Sequence, residues 1–226
     1  LGMPRGVVSI EIVRHPVGHL MVRGVQFSSH MTSVVLVVLA FFVLALLSYW
    51  GRQRRIAERQ AIRLADYDSL TGLPNRRKFR RDIDAALQQA RWEDRNFNLI
   101  SIDVDSFKQV NDFYGHEAGD RLLIVAARRL NATIGKLGQV YRLSGDEFMA
   151  ICWADGHPTP AEMVAQFLEI MPMPITTDHA RFTATMCVGS ALCPADGRTI
   201  EELTKCADLA LYDAKAKGAG QYVEFT

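Results

Sequence analysis

Two acidic residues, Asp146 and Glu147, stand in a short polar break between the largely apolar residues 140–143 and 148–153. This pattern predicts two strands joined by a tight turn, with Gly145 supplying the positive φ angle that such turns need. The two carboxylates would then lie at the tip of a hairpin. Acidic turns are also common on protein surfaces, so this pair by itself leaves a structural and a catalytic interpretation open.

A third acid, Asp103, follows residues 97–102 (F-N-L-I-S-I), which are typical of a buried strand. Mg²⁺ prefers oxygen ligands, often one or two carboxylates together with substrate phosphates. If this strand lies beside the hairpin, Asp103 faces Asp146 and Glu147, and three such acids repel one another unless a cation joins them. The three acids therefore predict a Mg²⁺ site, with Mn²⁺ as an alternative ion.

Three polar residues after Asp103 are suited to a nucleotide. Lys108 can neutralise phosphate oxygens. Asn111 and Asp120 offer an amide and a carboxylate, which match the carbonyl group and the N–H donors of a guanine edge. Each also has a structural alternative: Asn111 as a turn residue, and Asp120 as the N-cap of a helix whose apolar face includes Leu122.

The segment before the first predicted strand combines a loop and a helix. Gly, Pro and Asn within residues 66–77 predict a structured loop. A helix is predicted to begin near Arg76, because Phe79, Ile83 and Leu87 recur at helical spacing.

Residues 31–50 are apolar and uncharged, which is long enough to cross a bilayer core. Aromatic residues end this run and four arginines follow within residues 51–59, so the positive-inside rule places the remainder in the cytoplasm. A buried core helix is the alternative. We predict a single-pass helix of the inner (cytoplasmic) membrane at residues 31–50, a helical linker at 51–65 and a cytoplasmic catalytic domain at 66–226.

Because the chain begins at Leu1, we expect a longer protein, with residues 1–30 as the extracytoplasmic remnant of a sensory region. So short a segment cannot bury a core alone. The linker is either a rod that transmits a signal or a solvated spacer. We interpret His15, His19 and His30 as surface histidines, with a metal site as the alternative.

The composition sets few further limits. The chain has 226 residues and a net charge of +1, which neither indicates nor excludes a nucleic-acid partner. Four cysteines all follow residue 151, and none forms a C-x-x-C pair, so reduced thiols are predicted.

Taken together, four stretches resemble the GGDEF family, the diguanylate cyclases, and the resemblance covers residues 65–225. The stretches are D-x-L-T-G-L-x-N-R-R at 68–77, D-x-D-x-F-K-x-x-N-D-x-x-G-H-x-x-G-D at 103–120, R-L-S-G-D-E-F at 142–148 and A-D-L-A-L-Y-D-A-K at 207–215. The resemblance implies an α+β, palm-like nucleotidyl-cyclase fold, with a central, mainly antiparallel sheet flanked by helices.

The resemblance also implies the reaction and its residues. Two GTP molecules would be joined into cyclic di-GMP with release of two pyrophosphates, and nucleic acid is not an expected partner. The metal ligands would be Asp103, the Val104 carbonyl, Asp146 and Glu147, of which Asp146 matches the acid on which catalysis depends. The implied substrate contacts are Phe107, Lys108, Asn111, Asp120, Arg142, Gly145 and Lys215.

Each such domain would hold one GTP, so the resemblance implies a homodimer through the catalytic domain and the linker helix. Two metals would activate the attacking 3′-hydroxyl and stabilise the leaving oxygens. Apposing the two bound substrates would supply much of the catalysis.

The sequence departs from the family pattern at three places. Ser144 replaces the usual first glycine of the signature. The family's product-inhibition pair, R-x-x-D, falls on Gly135 and Gly138, so we predict little or no product feedback there. Gly218-Ala219-Gly220 replaces the usual G-R-N, which removes one phosphate contact.

Two other functions compete with an active cyclase. The first is a degenerate domain that binds GTP or cyclic di-GMP and only relays a signal. The second is a different nucleotidyl cyclase or polymerase-like enzyme with the same metal chemistry. Retention of the acids disfavours the relay, and the amide–carboxylate pair favours guanine.

Overall fold

A computed structural model describes residues 29–155 and 158–226 of the chain. The predicted sensory remnant, with His15 and His19, lies outside the described residues, apart from its last two positions. Contacts divide the chain into two compact units, one ending at Arg59 and the other comprising Gln60–Thr226.

Helix α1 (Ser29–Asp66) contains the predicted apolar segment and continues through the predicted linker. Within it, Leu36–Arg54 is long and apolar enough to cross a membrane, by length and composition, and none of this stretch is buried inside the protein. The exposure argues against the alternative of a buried core helix.

The remaining elements form an α+β domain. In chain order they are α2 (Arg76–Glu93), β1 (Phe97–Val104), α3 (Phe107–Tyr114), α4 (His116–Ala132), β2 (Gly138–Ser144), β3 (Glu147–Trp153), α5 (Pro160–Ile170), β4 (Ile175–Thr176), β5 (Arg181–Phe182), β6 (Met186–Cys193), α6 (Ile200–Lys217) and β7 (Tyr222–Glu224).

The main sheet has the strand order β2-β3-β1-β6-β7, and β4 and β5 form a separate pair. Strand β1 lies at its centre, antiparallel to both β3 and β6. β2 and β3 are antiparallel, whereas β6 and β7 are parallel. The sheet is therefore mixed, although most of its pairings are antiparallel as predicted.

Successive side chains of β1 enter different cores, because side chains alternate between the faces of a strand. Ile100 and Ile102 are fully buried against apolar residues of α4 and α5. Leu99 is buried on the opposite face with residues of α2 and α6. The same alternation places Asp103 on the α2–α6 face.

A buried carboxylate holds the start of α2. Asp66 is nearly inaccessible and pairs with Arg77, at 2.7 Å, and with Arg81. The Asn75 side chain caps α2 by accepting hydrogen bonds from the backbone N–H groups of Arg77 and Lys78. Polar capping of this kind begins α2 at Arg76, as the sequence predicted.

The four cysteines form no disulfide in the structure: Cys152, Cys187 and Cys193 are buried, and Cys206 is partly exposed. Burial raises the pKa of the Cys152 thiol to about 12, so this group is neutral at physiological pH.

Helix α6 packs directly on β6 at Gly189. A Cβ atom at this position would lie 2.1 Å from the Leu211 nitrogen and 2.5 Å from the Ala207 carbonyl oxygen. We expect Gly189→Ala to lower the free energy of unfolding by about 1–3 kcal/mol, because the helix backbone must move. Urea denaturation of the chain measures this change.

Gly51→Ala is the matched control for this substitution, because a Cβ atom at Gly51 meets nothing within 4 Å. Equal stability of the two variants would contradict the close packing of α6 on β6.

Candidate functional site

Asp103 stands near the end of β1, directly opposite Glu147 at the start of β3 and opposite Cys187 of β6. Directly opposed residues in antiparallel strands have Cβ atoms about 4.5–5.5 Å apart. The strand that ends in Asp103 therefore lies beside the hairpin, which is the condition under which the sequence brought these acids together, and two acids from distant parts of the sequence are neighbours.

Arg142 links the hairpin turn to Asp68, which lies in the loop before α2. Gly145 has a φ angle of 47°, as predicted. The Arg142 guanidinium donates to the Gly145 carbonyl oxygen, at 2.7 Å from Nη2, and to Asp68 Oδ1, at 2.8 Å from Nη1. Asp68 also accepts from the Thr71 hydroxyl at 2.7 Å. These contacts give Arg142 a role in positioning the turn, and its contact with phosphate stays a prediction.

Lys215, near the end of α6, forms an ion pair with Asp103, with 2.6 Å between Nζ and Oδ1. Burial raises the pKa of the Asp103 carboxyl above its ordinary value, Lys215 lowers it in part, and the charges of Asp146 and Glu147 raise it further. The negative form of Asp103 is thus poorly stabilised by its surroundings. Additional positive charge beside it would be favourable.

Asn111 and Asp120 lie inside helices, so both structural alternatives for them are wrong. α3 spans Asn111, which is therefore not in a turn, and α4 begins at His116, so Asp120 is not its N-cap. A Cβ atom at Gly119 would lie 2.0 Å from Asn111 Oδ1. Gly119 thus leaves room for the Asn111 amide against α4, at the position that precedes Asp120 in the sequence.

The remaining predicted contacts lie at the beginning of α3. Phe107 is partly buried against the core, and its ring lies 3.3 Å from the position of a Gly119 Cβ atom. Lys108 follows it and is exposed to solvent. Phe107 therefore packs the start of α3 against the core, while Lys108 points to solvent.

Sequence reasoning assigned no role to three residues that border the site. Asp105 accepts from the Thr185 hydroxyl, at 2.6 Å, and from the Gly220 N–H, at 2.8 Å. These bonds hold the segment after α6 against the end of β1. The only sequence signal for Asp105 was its place in the D-x-D motif.

Asp208 of α6 accepts a hydrogen bond from the Ser101 hydroxyl at 2.9 Å, and burial raises the pKa of its carboxyl. Arg76 is the third such residue, and its Nη2 lies 3.5 Å from Glu147 Oε2. Both belong to motifs that resemble the family, but neither was singled out by its spacing.

Two cavities meet at Asp103 and Lys215. One has a volume of about 390 Å³ and is also lined by Glu147 and Asp208. The other, of about 280 Å³, is also lined by Val104 and the segment after α6. The partly buried Asp103 carboxylate is therefore open to a small ligand from both sides.

The carboxylates at this site fit a hard divalent cation whose remaining coordination positions are filled by water and a bound ligand. Within residues 29–155 and 158–226, no three His, Cys, Asp or Glu side chains are grouped closely enough to hold an ion by themselves. Mg²⁺ needs fewer, because it is usually held by one or two carboxylates, water and substrate phosphates. The adjacent carboxylates of Asp103 and Glu147 meet that requirement.

The sequence and the fold were compared with those of known proteins. Residues 65–221 match the family described as "Diguanylate cyclase, GGDEF domain". An uncharacterized signaling protein of Caulobacter vibrioides is 39% identical over 173 residues, which are 76% of this chain and 21% of the relative. The bifunctional diguanylate cyclase/cyclic di-GMP phosphodiesterase MucR of Pseudomonas aeruginosa is 38% identical over 169 residues, 75% of this chain and 25% of MucR.

Matching stretches thus span about a fifth to a quarter of the length of these two relatives. Among solved structures, the GGDEF domain of TpbB (YfiN) from Pseudomonas aeruginosa is 32% identical, with a TM-score of 0.65, and the match covers 71% of this chain and 94% of that domain. Sequence and fold agree, and the chain belongs to the GGDEF family of diguanylate cyclase domains.

Proposed function

We propose that this chain is a membrane-anchored diguanylate cyclase that condenses two GTP molecules into cyclic di-GMP and releases two pyrophosphates. The observation that carries the proposal is the pairing of Asp103 with Glu147 on adjacent strands. Both residues line the same cavity, and Lys215 forms an ion pair with Asp103. Such an arrangement suits a phosphoryl-group reaction, in which negative charge must be neutralised at a fixed place.

Asp103, the Val104 carbonyl, Asp146 and Glu147 would hold Mg²⁺, or Mn²⁺ in its place. Bound there, the ion supplies positive charge to the phosphate oxygens and lowers the pKa of a nearby hydroxyl. Lys215 can exchange its contact with Asp103 for a phosphate oxygen of the substrate, since its side chain is 44% exposed.

Guanine recognition would fall to Asn111, whose side chain lies against Gly119, and to Asp120, the next residue of α4. Lys108, exposed at the start of α3, would contact the phosphates. Gly145 leaves the turn without a side chain, so the backbone can approach the nucleotide.

The condensation joins two nucleotides, and each domain offers one such site. We therefore propose a homodimer, assembled through the catalytic domain and the linker helix, in which the 3′-hydroxyl of one GTP faces the α-phosphorus of the other. Holding two reactants in this geometry removes most of the entropic cost of their encounter.

We also propose that Leu36–Arg54 anchors the protein in the inner membrane with the catalytic domain in the cytoplasm. Support comes from the length and composition of this stretch and from the arginines that follow the apolar run.

The test is incubation of the full chain, in detergent or nanodiscs, with GTP and Mg²⁺, followed by chromatographic identification of the product. We expect cyclic di-GMP and pyrophosphate. A different cyclic or linear product would identify another nucleotidyl transferase. Binding of GTP or cyclic di-GMP without turnover would identify a relay domain.

Product feedback is expected to be weak or absent, because glycines occupy both positions of the family's product-inhibition pair and offer no side chain to bind the product. A Cβ atom at Gly138 would lie 1.8 Å from the Ile151 carbonyl oxygen, and one at Gly135 would lie 2.8 Å from Asn131 Oδ1. Initial rates measured with increasing cyclic di-GMP should change only through competition with GTP. Tight, non-competitive inhibition that maps to these glycines would contradict this expectation.

A further inference from the structure

Ser144, where the family usually has glycine, contacts one of the proposed metal ligands. Ser144 ends β2, Glu147 begins β3, and the two residues are paired across the turn. The Ser144 hydroxyl donates to Glu147 Oε2 at 2.8 Å. A glycine at this position could not make that bond.

Arg76 supports the same carboxylate oxygen from α2. Its Nη2 lies 3.5 Å from Glu147 Oε2 and 3.4 Å from Ser144 Oγ. Both charged side chains are more than half exposed, and an exposed ion pair at this distance contributes little by itself. The bond from the Ser144 hydroxyl is also exposed, but at 2.8 Å it is the shortest polar contact described for the Glu147 side chain.

All polar contacts described for Glu147 involve Oε2, and none of those described involves Oε1. Hydrogen bonds to a ligating carboxylate orient it and strengthen metal binding, which is the usual role of groups that surround metal ligands. The contact with Ser144 thus fixes one oxygen and leaves the other for a cation beside Asp103.

We propose that Ser144 is a positioning residue, whose hydroxyl holds the Glu147 carboxylate in place and raises the affinity of the site for Mg²⁺. This inference rests on the cation site of the proposed function. It gives the serine a role that the glycine of the usual signature cannot fill.

The test compares Ser144→Ala, Ser144→Gly and Ser144→Thr in the full chain. Mn²⁺ binding is followed by electron paramagnetic resonance, in the presence of a GTP analogue that cannot react at its α-phosphorus. The Mg²⁺ concentration for half-maximal activity is measured in parallel. We expect binding about 10-fold weaker for the alanine and glycine variants, within the range for loss of a partner of a metal ligand.

Ser144→Thr should bind Mn²⁺ as the wild type does, because it keeps the hydroxyl in a conformation that a strand end accepts. Ser69→Ala, at an exposed serine of the loop before α2, is the matched control and should change nothing. Unchanged or tighter binding in Ser144→Ala, or equal losses in the threonine and alanine variants, would overturn the proposal.

Asp103→Asn separates failure of this inference from failure of the proposed function. If Asp103→Asn weakens Mn²⁺ binding and Ser144→Ala does not, the cation site stands and the role of Ser144 is refuted. If Asp103→Asn leaves Mn²⁺ binding unchanged, the cation site itself is refuted.

Discussion

Asp103→Asn should abolish most cyclic di-GMP formation while leaving the protein folded. Loss of one group that stabilises charge in a transition state typically lowers the rate by about 10²–10³-fold. Asparagine keeps the shape of the side chain but lacks the charge that a cation needs. Initial rates with GTP and Mg²⁺, measured by chromatography, check this prediction.

The stability of Asp103→Asn is the internal control for its activity. The pKa of Asp103 is raised in the folded protein, so the folded state binds more protons than the unfolded chain at pH values between the two pKa values. Stability therefore falls as the pH rises through that window. Asparagine does not titrate, so the variant should be at least as stable as the wild type at neutral pH, as thermal unfolding would show. Lost activity together with a large loss of stability would contradict a specific role in the reaction.

Phe148→Ala should be strongly destabilising, because this ring anchors the hairpin in the core. Phe148 is completely buried and lies opposite Ile102 of β1. We expect the free energy of unfolding to fall by about 3–5 kcal/mol, the typical cost of emptying a buried aromatic site. Guanidinium denaturation, followed by circular dichroism, measures the change.

Phe113→Ala makes the same chemical change at a ring that is 80% exposed. It should alter stability by no more than about 0.5 kcal/mol. Similar losses in the two variants would show that hydrophobic burial at Phe148 does not hold the hairpin.

Local patterns in the sequence predicted the elements on which the site is built. The polar break around Gly145 predicted the hairpin, and the apolar run before Asp103 predicted the central strand. The helical spacing of Phe79, Ile83 and Leu87 placed α2. Such patterns are reliable because a strand or helix must match its side-chain period to one buried face.

Other features depend on contacts between elements that are distant in the sequence. The pairing of Lys215 with Asp103 arises because α6 packs on the central sheet at Gly189. The bonds from Ser144 and Arg76 to Glu147 arise where α2 meets the hairpin.

The sequence by itself determined the family, the hairpin and the set of acids that it shares with the central strand. Only the tertiary structure decided that Lys215 pairs with Asp103 and that the Ser144 hydroxyl contacts Glu147. It also decided that Asn111 and Asp120 lie inside helices. The physical reason is that a local pattern specifies a periodic element with one buried face. The partners of a side chain, by contrast, are set by packing between elements, which the spacing of residues along the chain does not encode.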